Sequence, residues 1–180
     1  MLSIALTHWP CLDKHGELIT TAITNLDLHD GARVCLTYGI DTLYIVHPYQ
    51  SQRDFAAKIM DHWRTGFGGE YNPLRKRAFE VVRVVDDLAA LRARTGTMVV
   101  ATSARRVKGA VSWAEVRDLA AKSDVCLLFG TGWGLAPQAF EQADAVVEPI
   151  AGRDDFNHLP VRAAMAIAID RVLGGSTWDT

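Results

Sequence analysis

The sequence predicts an α/β fold, a mostly parallel sheet with helices on both faces. Two observations carry this. Short apolar, β-branched runs alternate with helix-length stretches along the whole chain, and that alternation implies parallel strands joined by crossover helices. No Pro/Gly/Ser-rich linker divides the 180 residues and no internal repeat is visible, so one domain spanning 1–180 is expected. At 49% hydrophobic and 22% charged residues, the chain has enough apolar surface for a core, which excludes a disordered polymer.

Each element follows from its local pattern. Residues 3–8 (SIALTH) form a short apolar run that predicts a buried first strand, and 9–24, with Pro10, Asp13 and Gly16, predicts a loop. Asn25 or Asp27 caps a helix running to about Tyr38, with Leu28, Ala32 and Leu36 on one face and Gly39 at the C′ position. TLYIV (42–46) predicts a strand and 51–65 a helix. The stretch 66–78 (GFGGEYNPLRKRA) is the most irregular and is expected to be a mobile functional loop. FEVVRVV (79–85) predicts a strand and 87–94 a short helix. MVVAT (98–102), VCLLF (125–129) and AVVEP (145–149) predict three late strands, separated by helices near 112–121 and 135–142. A helix from 158 to 173 ends the chain, with Val161, Met165, Ala168, Ile169 and Val172 on its apolar face.

Composition excludes several functions. With 19 Lys+Arg against 21 Asp+Glu, the net charge of -2 argues against nucleic acid held by bulk charge and leaves only local basic patches. No run of about 18 apolar residues occurs, so no membrane span is expected. The start MLSIALTHWP lacks a basic n-region and does not read as a signal peptide. Three scattered cysteines (Cys11, Cys35, Cys126) fit a reduced, cytoplasmic protein. His8, Cys11 and His15 are three mixed ligands at loop spacing, too weak a pattern for a metal site, and no metal is expected.

The candidate site begins at Phe129-Gly130-Thr131-Gly132-Trp133-Gly134, a strand running straight into glycines and a helix. Such a turn lets a ligand approach the backbone. Its G-x-G-x-G spacing and its position late in the chain both count against a dinucleotide fingerprint. The other late strands also end in polar residues, Thr102-Ser103-Ala104-Arg105-Arg106 and Pro149-Ile150 through His158. In a parallel sheet all three ends share the carboxyl edge, where open α/β sheets bind ligands, so a three-loop pocket for a small molecule is expected. Asn157 or Asp155 is also a candidate cap for the last helix.

These motifs in order, TSARR, LLFGTGWGL and VEPI…DFNHLPVRAAMAIAIDR, together with TNLDLHDGAR at 24–33, resemble the SPOUT superfamily of RNA methyltransferases. The match is nearest to a small group of bacterial stand-alone members and covers about residues 4–174. The resemblance implies a C-terminal deep trefoil knot, with knot and pocket at about 98–174, and S-adenosylmethionine bound in a bent shape by three knot loops. It implies a homodimer in which the first-motif helix and the last helix pack across a two-fold axis. RNA is the implied substrate, with tRNA as the class, a ribose 2′-hydroxyl as the preferred acceptor and a base nitrogen as the other. The expected cofactor contacts are Thr102, Ser103, Phe129, Gly130, Thr131, Gly132, Glu148, Ile150, Asn157, His158 and Leu159. Arg33 is expected to act near the acceptor, with Asn25 as a further catalytic candidate and Asp154 or Asp155 as a base for a nitrogen acceptor. Arg75, Arg77, Arg105 and Arg106 are candidate RNA contacts, with Arg64 and Arg53 adding to the same surface. The competing functions are a nucleotide-binding oxidoreductase using the glycine turn and an RNA-binding module without chemistry. Neither DNA nor a membrane is an expected partner. Trp133 is read as a cover for the core, and His29 as structural.

Overall fold

A computed structural model describes residues 1–95 and 97–174. Six parallel strands form one sheet: β1 (Leu2–Thr7), β4 (Leu43–Val46), β5 (Val82–Val85), β6 (Met98–Ala101), β7 (Val125–Gly130) and β8 (Ala145–Val146). Their order across the sheet is β5-β4-β1-β7-β6-β8. The first half of the chain builds outward from β1 to one edge, and the second half builds to the other, so the order reverses between β1 and β7. Alternate side chains serve opposite faces, as a strand's period of two requires. Ile4 and Leu6 of β1, with Leu127 and Phe129 of β7, join the larger core, while Ala5, Cys126 and Leu128 join a second core on the other face. The sheet is therefore buried on both sides.

Helix α1 (Asn25–Thr37) is capped by Thr24, whose hydroxyl accepts from the Asp27 N–H while the Asp27 carboxylate accepts from the Thr24 N–H. Such a cap contributes about 1 kcal/mol. The cap is thus one residue before Asn25, which is the first helical residue and exposed. Gly39, at φ +70°, donates to the Leu36 carbonyl while Ile40 donates to that of Cys35, the C-terminal closure that a left-handed glycine makes possible.

The segment read as a mobile loop is helical. After α2 (Gln50–Arg64) come α3 (Phe67–Tyr71) and α4 (Pro73–Phe79). Gly68 and Gly69 sit there because α3 lies against Trp63: a Cβ on Gly68 would fall 2.9 Å from the Trp63 ring, and one on Gly69 would collide with the Trp63 carbonyl. Pro73 occupies the first turn of α4, where its missing N–H is harmless. Phe79 and Val81 therefore precede β5 rather than belong to it. The loop at 9–24 contains a small antiparallel pair, β2 (Cys11–Leu12) with β3 (Leu18–Ile19). Beyond α5 (Leu88–Thr95), α6 (Trp113–Lys122) and the single turn α7 (Pro137–Phe140), the last helix α8 runs Val161–Leu173. It starts three residues later than expected because Pro160, at ψ 141°, is its N-cap. Neither Asn157 nor Asp155 caps it.

Arg64 and Arg53 are engaged internally. The Arg64 guanidinium donates to the carbonyls of Phe79 and Val82 at 2.6–3.0 Å, closing the open end of α4. Arg53 donates to the carbonyls of His47 and Pro48. The expectation that both extend an RNA surface is corrected: each guanidinium is held by backbone carbonyls of its own chain.

Candidate active site

At the carboxyl ends of β7, β6 and β8 lies a cavity of about 1120 Å³. Three loops build it, following β6 (Thr102–Val107), β7 (Gly130–Leu135) and β8 (Glu148 to Val161). The three late strands are neighbours in the sheet, so their ends converge without any long excursion. The position obeys the rule that open α/β sheets hold ligands beside the point where strand order reverses.

All eleven residues expected at the cofactor line this cavity: Thr102, Ser103, Phe129, Gly130, Thr131, Gly132, Glu148, Ile150, Asn157, His158 and Leu159. Asp155, Arg105 and Arg106 line it as well. Several of these side chains build the pocket wall. The Thr102 hydroxyl donates to the Leu128 carbonyl at 2.9 Å, and a Glu148 carboxylate oxygen accepts from the backbone N–H of Trp113 at 3.2 Å. Asn157 ties two loops together: its Oδ1 accepts from the Gly152 N–H at 2.9 Å and its Nδ2 donates to the Ala104 carbonyl at 3.0 Å. Its role in the wall is to hold the loop after β8 against the loop after β6.

The glycine loop is pinned from the other side. The Trp133 N–H donates to the Leu12 carbonyl and the Leu12 N–H to the Gly134 carbonyl, both at 2.9 Å. Gly132 (φ +62°) and Gly134 (φ +106°) take left-handed conformations that only glycine adopts cheaply. Thr131 reaches inward to a buried polar cluster. Its hydroxyl meets the Thr21 hydroxyl, which in turn meets His8 Nδ1 at 2.9 Å. His8 is fully buried, and burial pushes its imidazole down to about 4 against the opposing pull of the Asp27 carboxylate. The imidazole stays neutral at physiological pH and serves as a hydrogen-bonding strut. His15 lies on the exposed β2–β3 turn, so His8, Cys11 and His15 do not converge, and no metal cluster occurs among the described residues.

Sequence reasoning missed part of the lining. Leu12 enters through the β2–β3 pair, and Trp113, Phe140 and Ala164 enter from helices. Trp133 does not cover the core. It is 51% exposed, lines the cavity and sets its ring 5.1 Å from that of His158.

The remaining candidates stand elsewhere. Arg33 and Asn25, both exposed on α1, do not line the cavity. Arg75 lies over the Trp63 ring at 5.1 Å and contacts His29 Nδ1 at 2.7 Å, so it is tied into the packing of α4 on α1. His29, read as structural, is buried against Trp63 and Phe79 and does not line the cavity; burial first, and then the Arg75 charge, lower its pKa. Arg77 is exposed on α4. Arg162 of α8 joins the pocket's last loop to α1, pairing with Asp27 at 3.3 Å and Asp30 at 3.0 Å.

The fold and site define an α/β protein whose ligand crevice is assembled by three C-terminal loops. The model of a family described as SAM-dependent RNA methyltransferase matches residues 1–174, and the chain belongs to that family. It is 41% identical over 179 residues to a tRNA (guanine-N(1)-)-methyltransferase of Nitratidesulfovibrio vulgaris, covering 96% of this chain but 42% of that protein. The chain therefore spans less than half the length of that curated relative. It is also 36% identical over 185 residues to an uncharacterized protein of Aquifex aeolicus, covering 98% of this chain and 90% of that one. Among solved structures, TrmJ from Z. mobilis ZM4 superposes with a TM-score of 0.66 at 19% identity, covering all of this chain and 72% of that one, a likeness of fold. The family's cofactor is S-adenosylmethionine, and with it the oxidoreductase reading of the glycine turn falls away.

The residues present fit that cofactor. At Gly130 and Gly132 a Cβ would come within 2.8 Å of Leu135 and of the Leu12 carbonyl, so glycine lets the loop pack closely on its own chain while its backbone borders the cavity. Trp113 borders the cavity, and among the described residues its buried indole N–H has no hydrogen-bond partner. Apolar walls from Phe129, Ile150 and Leu159 suit an adenosine ring.

Proposed function

We propose that the protein methylates tRNA, with a ribose 2′-hydroxyl as acceptor, and that it works as a homodimer in the cytoplasm. The observation that supports this reading is the cavity at the β6, β7 and β8 carboxyl ends, whose lining includes the eleven residues expected to contact S-adenosylmethionine. Bound there, S-adenosylmethionine supplies an electrophilic methyl group. The protein's part is to align the acceptor with that methyl and to help remove its proton.

Arg33 is the proposed catalytic residue. A ribose hydroxyl is a weak nucleophile, and a guanidinium stabilises the oxyanion as the proton leaves. Arg33 is exposed and, among the described residues, its guanidinium makes no hydrogen bond or ion pair. Since it lies outside its own chain's cavity, this role calls for a second copy to bring α1 to the pocket, with Asn25 near the acceptor. The outward face of α8 supports such a dimer, because Ala163, Ala166 and Ile167 present half-buried apolar surface rather than charge. A threaded C-terminal region is part of the same reading. Its support is the position of β7, inserted between β1 and β6, and of β8, reached by crossing back past β6.

One observation favours a second reading. Asp155 lines the cavity directly, where it could take a proton from a base nitrogen. The test is transfer of labelled methyl from S-adenosylmethionine to bulk tRNA, followed by alkaline hydrolysis. Label retained in alkali-resistant dinucleotides supports the ribose acceptor; label released in a methylated base shifts the assignment to nitrogen and Asp155. Arg33→Ala should lower kcat by about 10²–10⁴-fold with S-adenosylmethionine affinity unchanged, and lysine should not fully replace it. Light scattering at micromolar concentration should give twice the chain mass; an active monomer would refute the second-copy role of Arg33.

A further inference from the structure

We propose that Trp133, backed by His158, is the platform on which the nucleobase of the acceptor nucleotide stacks. This deepens the RNA methyltransferase reading and rests on it. Three features point to it. First, the cavity of about 1120 Å³ lies beyond the range of about 300–1,000 Å³ usual for one small ligand, so the site has space for a second group beside the cofactor. Second, the exposed apolar side chains at this cavity, Trp133, Phe156, Leu159 and Val107, belong to all three of its loops. An indole half exposed on a rigid turn, with the His158 ring beside it, presents a large apolar face to the cavity. Third, the turn is fixed. The Trp133 N–H and the Gly134 carbonyl are both hydrogen-bonded to Leu12, and the His158 ring lies 5.1 Å away at 36°, so little side-chain freedom is lost when a base arrives.

The electrostatics agree. Arg105 and Arg106, on the loop after β6, are exposed at the same cavity, and among the described residues neither guanidinium is paired. A base on Trp133 would place its flanking phosphates within a region that already carries two free cations. Stacking is tolerant of sequence because every base has a π-face. On this account the platform supplies affinity and orientation, and base identity is read elsewhere.

The test uses the full chain loaded with S-adenosylhomocysteine and bulk tRNA as the probe. Equilibrium RNA binding and S-adenosylhomocysteine calorimetry are compared for the wild type, Trp133→Ala and Trp133→Phe. Loss of one base stack should weaken RNA binding about 5- to 150-fold in the alanine variant. Cofactor affinity should stay within about twofold, and phenylalanine should restore most of the RNA affinity. Unchanged RNA binding in a wild-type-active background overturns the platform and leaves the methyltransferase reading standing. A parallel fall in S-adenosylhomocysteine affinity also overturns it, since Trp133 then belongs to the cofactor. A wild-type protein that transfers no methyl group to any RNA overturns the underlying reading, an outcome the turnover assay identifies separately.

Discussion

Gly132→Ala is the sharpest probe of the glycine loop. Two penalties combine at this position. The left-handed conformation at φ +62° costs an L-residue about 1–2 kcal/mol. The added Cβ also falls 2.8 Å from the Leu12 carbonyl oxygen, a backbone atom that cannot swing aside. Relief requires the loop to move away from Leu12, which breaks the two flanking hydrogen bonds at about 0.5–1.5 kcal/mol each. The total is about 2–5 kcal/mol. Gly109 and Gly134 provide controls within the same chain. Both have positive φ (+81° and +106°), and a Cβ added at either would meet no atom within 4 Å, so alanine there carries the conformational penalty alone. Urea unfolding should rank Gly132→Ala below Gly109→Ala and Gly134→Ala, with unchanged m-values. Calorimetry should show S-adenosylmethionine affinity falling at least about tenfold in Gly132→Ala, because the relieved loop closes the cradle. Equal stabilities for Gly132→Ala and Gly109→Ala, with cofactor affinity intact, would refute the reasoning.

Two further outcomes are expected. Arg162→Ala should lower stability by about 1–3 kcal/mol in thermal melts, because the nearly buried Asp27 loses its cation and the last pocket loop loses its tie to α1; wild-type melting would refute that tie. His8 titrates at about 4 when folded and near 6.5 when unfolded, so between those values the unfolded chain binds a proton that the folded chain refuses. Stability is then full above pH 6.5 and falls as pH drops toward 4, by up to about 3 kcal/mol, with His29 and His47 shifting in the same direction. His8→Gln should flatten the denaturation profile in that window, and parallel curves for the two proteins would refute the assignment.

The sheet and the pocket were legible because they rest on short-range signals. Each late strand is an apolar run ending in polar or glycine residues, and parallel pairing puts those ends on one edge. The strand at 145–149 shortened to two residues, since pairing with β6 extends only through Val100 and Ala101. The helices α3 and α4 were hidden because Gly68, Gly69 and Pro73 are the residues that usually mark loops. Their reasons here are close packing on Trp63 and a first-turn proline, and both depend on partners distant in sequence. The same holds for Arg64 and Arg53, whose type suggested a phosphate surface while the fold gave them backbone carbonyls. Leu12 and Trp113 joined the cavity through tertiary placement, which no local pattern encodes. Trp133 was visible, but whether an indole faces inward or outward is decided by the turn around it.

The pairing of β1 with β7 sets a schedule for synthesis. Leu2 pairs with Val125 and Thr7 with Gly130, an offset of 123 residues. At about 5–20 residues per second, a ribosome takes on the order of 6–25 s to make the intervening chain. During that time β4 and β5 can join one side of β1, but the other side presents an open row of backbone donors and acceptors. Until β7 is made, a sheet of β5, β4 and β1 would leave the β1 edge unpaired, and unpaired strand edges are points of entry for wrong pairing. The cavity at the late strand ends comes into being only after that edge is closed, so a product truncated before β7 can neither cover its edge nor form the cavity.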